Sequence, residues 1–234
     1  CSDPNASGLP HPDHYTTARD IAIMSRELLR HPKVHEWFTI WIDYVRDGKN
    51  ILVNTNRLLK SYEGVDGFKT GFTEEAGYCL SATAEKGNLR LISVVLKVAD
   101  SNTRFNEAAA LLNLGFSQFT AVELAKEDQV IAEVEVVRGV IDKVSIVCED
   151  RLVAVVPRGE EDGVSRRIVL PKKIDAPVLK GQRIGEILAL AEDDSIIGRI
   201  NLIAAEEVRR GNMLRIVFRI TRNLLRALFQ VNRE

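Results

Sequence analysis

From residue 129 to residue 205 the chain runs as short β-rich segments at roughly ten-residue spacing, with turn residues between them. The segments are 130–137, 143–147, 152–156, 166–170, 183–190 and 196–204. This rhythm specifies an all-β domain of about 85 residues, a sandwich or a barrel. The stretch contains no histidine, no metal-like cluster and no Gly-rich phosphate loop, so its expected role is that of a spacer or binding module.

The part before residue 119 reads differently. Thr17-Ala18-Arg19-Asp20 has the form of a capping box, and Ile21, Met24, Leu28 and Leu29 follow at helical spacing until Pro32. A helix is expected over 17–30. Aromatic and β-branched residues over 37–53 surround Arg46-Asp47-Gly48-Lys49-Asn50, which fits a hairpin, and 60–67 reads as a loop. The runs 77–84 and 89–96 flank Lys86-Gly87-Asn88 and predict an antiparallel hairpin. An Ala- and Leu-rich helix is expected over 103–114, closed by Gly115. Helix, sheet, helix in this order gives an α+β layer. The expected domains are therefore 1–119 (α+β), 120–207 (all-β) and a tail over 208–234.

That tail is basic. Between Arg209 and Arg233 there are seven arginines and no acid, although the whole chain of 234 residues has a net charge of only −1. On a helix over 212–231, Arg215, Arg219, Arg222 and Arg226 fall within about 60° of one another, at 100° per residue. Ile216, Val217, Ile220, Leu224, Leu225 and Leu228 fill the other side. Four arginines forbid a spanning role. An amphipathic helix of this kind lies in the membrane interface against anionic headgroups; the other reading is a terminal helix docked on its own domain or on a partner. The overall balance, 45% hydrophobic and 28% charged, gives no sign of nucleic-acid binding.

Cys1, Cys79 and Cys148 are widely spaced and odd in number, which excludes a disulfide framework and a Cys-x-x-Cys site. The start at Cys1-Ser2-Asp3-Pro4, with neither Met nor a signal peptide, is expected of a fragment rather than of a lipidated cysteine. His31 and His35 stand four apart near Glu36, but Pro32 breaks the helix that zinc ligands would need, and no metal is expected. Glu160-Glu161-Asp162 and Glu192-Asp193-Asp194 read as solvated turns. Thr83-Ala84-Glu85-Lys86 reads as strand and turn, although it echoes a nucleophile-x-x-Lys box.

The chemically distinctive segment is Val65-Asp66-Gly67-Phe68-Lys69-Thr70-Gly71-Phe72-Thr73. Lys-Thr-Gly is one of three elements of serine acyl-enzymes of the penicillin-binding and β-lactamase type, beside Ser-x-x-Lys and a Ser-x-Asn-like triplet. On a strand Lys69 and Gly71 share a side. Lys69 supplies a cation near a nucleophile, Thr70 an alcohol for a carboxylate or carbonyl, and Gly71 room for a substrate backbone. No serine in the chain begins Ser-x-x-Lys or Ser-x-Asn.

Further segments carry a resemblance. Asn5-Ala6-Ser7-Gly8-Leu9-Pro10, Tyr15-Thr16-Thr17-Ala18-Arg19-Asp20, Asn54-Thr55-Asn56-Arg57-Leu58-Leu59 and Ala76-Gly77-Tyr78 accompany the Lys69 segment. In this order they resemble D-alanyl-D-alanine carboxypeptidases, the low-molecular-mass penicillin-binding proteins, and most of all the sporulation-type enzymes of Gram-positive bacteria. The likeness runs through the β-rich domain to the tail. The resemblance implies a partial penicillin-binding/β-lactamase-like domain ahead of the all-β domain. It also implies an extracytoplasmic serine peptidase, peripheral on the outer face of the cytoplasmic membrane, that serves cell-wall biogenesis and cell shape. Such an enzyme removes the terminal D-alanine of peptidoglycan pentapeptide through an acyl-enzyme, needs no cofactor and is acylated by β-lactams. Carried over by position, Lys69 is catalytic, and Thr70, Gly71, Arg104 and Arg57 bind substrate; for either arginine the other reading is structural. The family's nucleophile, its lysine partner and the Ser-x-Asn loop would precede Cys1, and Ser7-Gly8-Leu9 does not replace that loop. The alternatives are a non-catalytic, membrane-associated cell-wall-binding fragment and, less favoured by the β domain and basic tail, a β-lactamase.

With no serine beside an activating base, the chain alone should not be acylated by penicillin. Intact mass after incubation with benzylpenicillin should show unmodified protein; a covalent adduct contradicts this.

Overall fold

The computed structural model describes residues 1, 2, 4, 5, 7 and 11–212. The expected C-terminal helix, with Arg215, Arg219, Arg222 and Arg226, lies outside the described residues, as do Ala6, Gly8, Leu9 and Pro10. The chain divides into two compact units, Cys1–Thr120 and Ala121–Glu234.

The first unit opens with α1 (Ala18–Leu28), where Thr17 is the N-cap and its hydroxyl accepts from the Asp20 amide at 3.1 Å. As expected, α1 ends ahead of Pro32. That proline is the N-cap of a second helix, α2 (Lys33–Phe38), because a proline's missing N–H costs nothing in a first turn. Trp37, expected in a strand, therefore lies in α2. The hairpin follows as β1 (Ile42–Val45) and β2 (Asn50–Val53), turned by Arg46, Asp47 and Gly48 with φ of 55°, 56° and 82°. A short α3 (Leu58–Ser61) replaces the start of the expected loop, and β3 (Val65–Thr73) begins at its end.

β4 (Gly77–Lys86) and β5 (Leu89–Val98) pair antiparallel across the expected turn, where Gly87 has φ 60°. The sheet order is β3-β4-β5, so β3 is an edge strand. One face of the sheet carries Leu80, Ala82 and Val95, packed against Phe105 and Ala108 of α4 (Ser101–Gln118). The opposite face meets α1, where the buried Ser25 and Ser81 hydroxyls pair at 2.8 Å. α4 starts at Asp100, whose carboxylate accepts from the Asn102 and Thr103 amides. It runs beyond the expected stop. Gly115 is not a cap but a packing glycine: a Cβ there would lie 2.6 Å from Leu91 Cδ1.

The second unit is β-rich, as expected. It holds β6 (Phe119–Ala125), β7 (Val130–Val137), β8 (Lys143–Cys148), β9 (Leu152–Pro157), β10 (Ser165–Val169), β11 (Lys173–Asp175), β12 (Arg183–Leu190) and β13 (Ile196–Ala204). One sheet has the order β10-β12-β13-β8-β7-β11, with β11 parallel to β7, and β6 pairs with β9. Val136, Ile146, Ile187 and Leu202 of the larger sheet share one core with Ala125, Leu152 and Ala154 of the smaller. β6 and β11 are not among the strands expected from the sequence. β11 is three residues long, too short for alternation to register, and β6 continues directly from the end of α4. Burial pushes the Cys148 thiol above its usual pKa, with Arg166 opposing weakly.

Leu112 of α4 is buried to 1% exposure. Leu112→Ala should destabilise the protein by about 2–5 kcal/mol, read by urea unfolding; a loss under about 1 kcal/mol would mean that the helix is not packed as described.

Candidate active site

Along β3 the side chains alternate as the strand period requires: Lys69 and Gly71 are exposed, Phe68 and Thr70 buried. Four groups hold this edge in place from behind. Asn56, with 0% exposure, donates from Nδ2 to the Gly67 carbonyl at 3.0 Å and accepts the Leu58 amide at 3.2 Å. Asn54 accepts the Asn56 amide at 2.9 Å and donates to the Phe38 and Ile40 carbonyls at 3.2 and 3.0 Å. The Thr55 hydroxyl meets the Thr70 hydroxyl at 2.5 Å. Phe38 packs edge-on against Phe68, with centroids 5.2 Å apart. Thr55 and Asn56 thus tie the loop after β2 to strand β3, and Asn54 ties the same loop to the Phe38 and Ile40 carbonyls.

A charged network fixes the start of the same strand. Asp66 accepts two bonds from Arg90 Nη1, at 2.9 and 2.8 Å, and meets His35 Nδ1 at 3.2 Å. Arg90 also bonds Glu85 and the Thr83 hydroxyl. His35 is therefore engaged with strand β3. Among the described residues, no three or more His, Cys, Asp or Glu side chains group as metal ligands.

Beside Lys69 lies a cavity of about 680 Å³ lined by Thr55, Lys69, Thr70, Gly71, Phe72, Tyr78, Cys79 and Arg104, among others. Lys69 Nζ donates to the Thr70 carbonyl at 2.5 Å. A Cβ on Gly71 would meet only Cys79 Cβ, at 3.9 Å, so the fold itself does not demand glycine there. The bare Cα instead leaves the cavity wall open to an approaching backbone. Phe72 and Tyr78 stack at 4.4 Å along the far end.

Arg104 reaches this cavity from the first turn of α4. It is 6% exposed; Nη1 donates to the Gly71 and Cys79 carbonyls at 3.3 and 3.4 Å, and Nη2 to the Ser101 hydroxyl at 3.1 Å. Its guanidinium lies over the Phe105 and Tyr78 rings, 4.6 and 5.4 Å from their centroids, while its buried Nε has no partner. Burial lowers its pKa from the ordinary arginine value, Tyr78 and Cys79 oppose the shift, and Arg57 adds to it. Arginine remains cationic under such a shift. Among the described residues neither Lys69 nor Arg104 has a carboxylate partner, so two cations face one cavity uncompensated.

Arg57, expected with them, is placed differently. It bonds Asn102 Oδ1 at 3.3 Å, lies over the Phe105 ring and lines an adjoining cavity of about 450 Å³ with Trp41, Val53, Thr55 and Arg104. Ser7 lines the main cavity, but its hydroxyl bonds Asn5 Oδ1 at 2.9 Å, not a base. The sequence reading gave no role to Thr55, Asn56, Phe72, Tyr78 or Cys79. Thr55, Asn56 and Tyr78 stand inside segments that carried the resemblance, which was the available signal.

Two family models match the chain. Residues 3–100 match the S11 peptidases, described as D-alanyl-D-alanine carboxypeptidase, and residues 119–210 match the C-terminal domain of penicillin-binding protein 5. The chain belongs to the D-alanyl-D-alanine carboxypeptidase family. It is 36% identical over 214 residues to D-alanyl-D-alanine carboxypeptidase DacF of Bacillus subtilis (strain 168), covering 90% of this chain and 55% of that protein. Against DacC of Escherichia coli (strain K12) it is 35% identical over 210 residues, covering 87% and 51%. Among solved structures, penicillin binding protein 5 from Haemophilus influenzae matches with a TM-score of 0.66 at 32% identity, over 87% of this chain and 59% of that one. The chain spans about half the length of the curated relatives it matches.

Proposed function

We propose that the chain carries the substrate-binding wall of a serine-type D-alanyl-D-alanine carboxypeptidase. The enzyme removes the terminal D-alanine of peptidoglycan pentapeptides through an acyl-enzyme. The observation that carries this reading is the convergence of Lys69 and Arg104, with no acid lining the site among the described residues, on a cavity bordered by edge strand β3. A peptide lying along that edge as an added strand pairs its backbone with β3 at Gly71, while its terminal carboxylate meets Thr70 and Arg104. Lys69 is the cation near the serine and lowers the cost of charge that develops during acyl transfer. β-Lactams, which also carry a carboxylate beside the reacting carbonyl, engage the same wall in an enzyme that holds the serine. No metal or cofactor enters this reading.

A second reading is a non-catalytic, membrane-associated fragment that binds cell-wall peptide. It needs only the cavity at Lys69 and Arg104 and no nucleophile. Both readings require the cleft to bind peptide, and they differ in whether a serine is supplied. Placement on the outer face of the cytoplasmic membrane rests on the family and on the arginine spacing of residues 213–234, which lie outside the described residues.

Two outcomes test the proposal. Diacetyl-L-lysyl-D-alanyl-D-alanine should shift the amide resonances of Lys69, Thr70, Gly71 and Phe72 in a ¹⁵N-labelled sample. Arg104→Lys, which keeps the charge but loses the fork, should weaken that binding about tenfold; shifts confined to other residues, or none at saturating peptide, overturn the cleft assignment. Removal of residues 212–234 should abolish binding to vesicles containing phosphatidylglycerol, and unchanged binding would sink the membrane reading.

A further inference from the structure

The Thr55–Thr70 hydroxyl pair does something that no part of the family assignment covers. Thr70 is 7% exposed, whereas Thr55 is exposed and borders both the Lys69 cavity and the adjoining Arg57 cavity. Their oxygens are 2.5 Å apart, at the short limit for neutral hydroxyls. Among the described residues neither hydroxyl has another partner. Two hydroxyls carry two protons, and only one of these can lie between the oxygens. The second is left as a single free O–H donor, with the cavity as its open side.

Thr55 is also not free to drift. Its backbone is bracketed by Asn54, whose amide donates to the Trp41 carbonyl at 2.8 Å, and by Asn56, whose carboxamide grips Gly67. The loop therefore delivers the Thr55 hydroxyl to a fixed point on the strand. With Thr55 donating to Thr70, the Thr70 proton points into the cavity; an anionic oxygen there aligns both bonds in one direction and strengthens each.

We propose that Thr55 is a positioning residue: its hydroxyl fixes the Thr70 hydroxyl so that the pair presents one O–H donor to a ligand carboxylate in the Lys69 cavity. The inference rests on the cleft reading above and adds a determinant of carboxylate recognition that lies outside Lys-Thr-Gly. Nothing in it requires a bond to be broken or a proton to leave the pair.

The test uses the full chain with Thr55→Val, nearly isosteric but without the hydroxyl, and Thr55→Ser, which restores it. Thermal unfolding checks that both variants fold. The first readout is the Thr70 χ1 rotamer, from three-bond couplings of its methyl group to backbone N and carbonyl carbon. The second is the affinity for diacetyl-L-lysyl-D-alanyl-D-alanine. Thr55→Val should average the Thr70 couplings and weaken the peptide about tenfold, and Thr55→Ser should return both to wild-type values. Unchanged Thr70 couplings in Thr55→Val overturn the proposal, whatever the affinity does; averaged couplings with unchanged affinity overturn its ligand half. Failure of the wild-type chain to bind the peptide counts against the cleft reading instead, and the couplings then decide alone whether Thr55 orders Thr70.

Discussion

The Asn56 carboxamide is the point on which the first unit turns. A buried Asn has to place both its donor and its acceptor, and this one gives its NH₂ to Gly67 and its oxygen to the Leu58 amide. One side chain thereby receives the amide of the first residue of α3 and anchors the strand that carries Lys69. Gly67 is matched to that role: a Cβ there would lie 3.2 Å from Thr83 Cγ2 and 3.6 Å from Phe38 Cβ. Loss of the carboxamide strands a buried carbonyl on β3, and a stranded group of this kind costs about 1–3 kcal/mol. Thr55 and Arg104 act on the same strand farther along, so the cleft wall is fixed at Gly67, Thr70 and Gly71 in turn.

An edge strand ordinarily invites indiscriminate pairing, and natural proteins blunt such edges. Here β3 keeps its outer side open but sets Lys69 and Gly71 on its exposed face, with the Arg104 guanidinium gripping the Gly71 carbonyl. In the proposed function, the positive field favours a strand that ends in an anion, and the edge offers backbone pairing that is indifferent to side chains. On that proposal, selectivity rests on charge and on the Thr70 hydroxyl. The adjoining cavity at Arg57 and Trp41 widens the site beyond the strand.

What the sequence shows depends on whether a signal is periodic or local. The β4–β5 hairpin was legible because Gly87 separates two apolar runs, and α1 because Thr17 announces its cap. Lys69-Thr70-Gly71 was legible as three letters, and the structure sets them at one cavity. Side chains that bond a distant backbone group leave no such trace. Asn56 reads as a loop residue, yet it is fully buried. Pro32 reads as a stop, and α1 does end before it, but the N-cap role of Pro32 in α2 leaves no separate trace, because the same missing N–H is tolerated in a first turn. Arg57 follows Asn56 directly in sequence, but its side chain turns toward Asn102 and Phe105. The Ala- and Leu-rich helix α4 outruns Gly115 because that glycine answers Leu91 across the sheet.

Asn56 holds the β3 edge of the Lys69 cavity in place. Amide hydrogen exchange of Asn56→Ala against the wild type tests this most directly. β3 amides bonded to β4 should lose about tenfold or more of their protection, while amides between β4 and β5 keep theirs. Unchanged protection along β3, or an equal loss across all three strands, would contradict it.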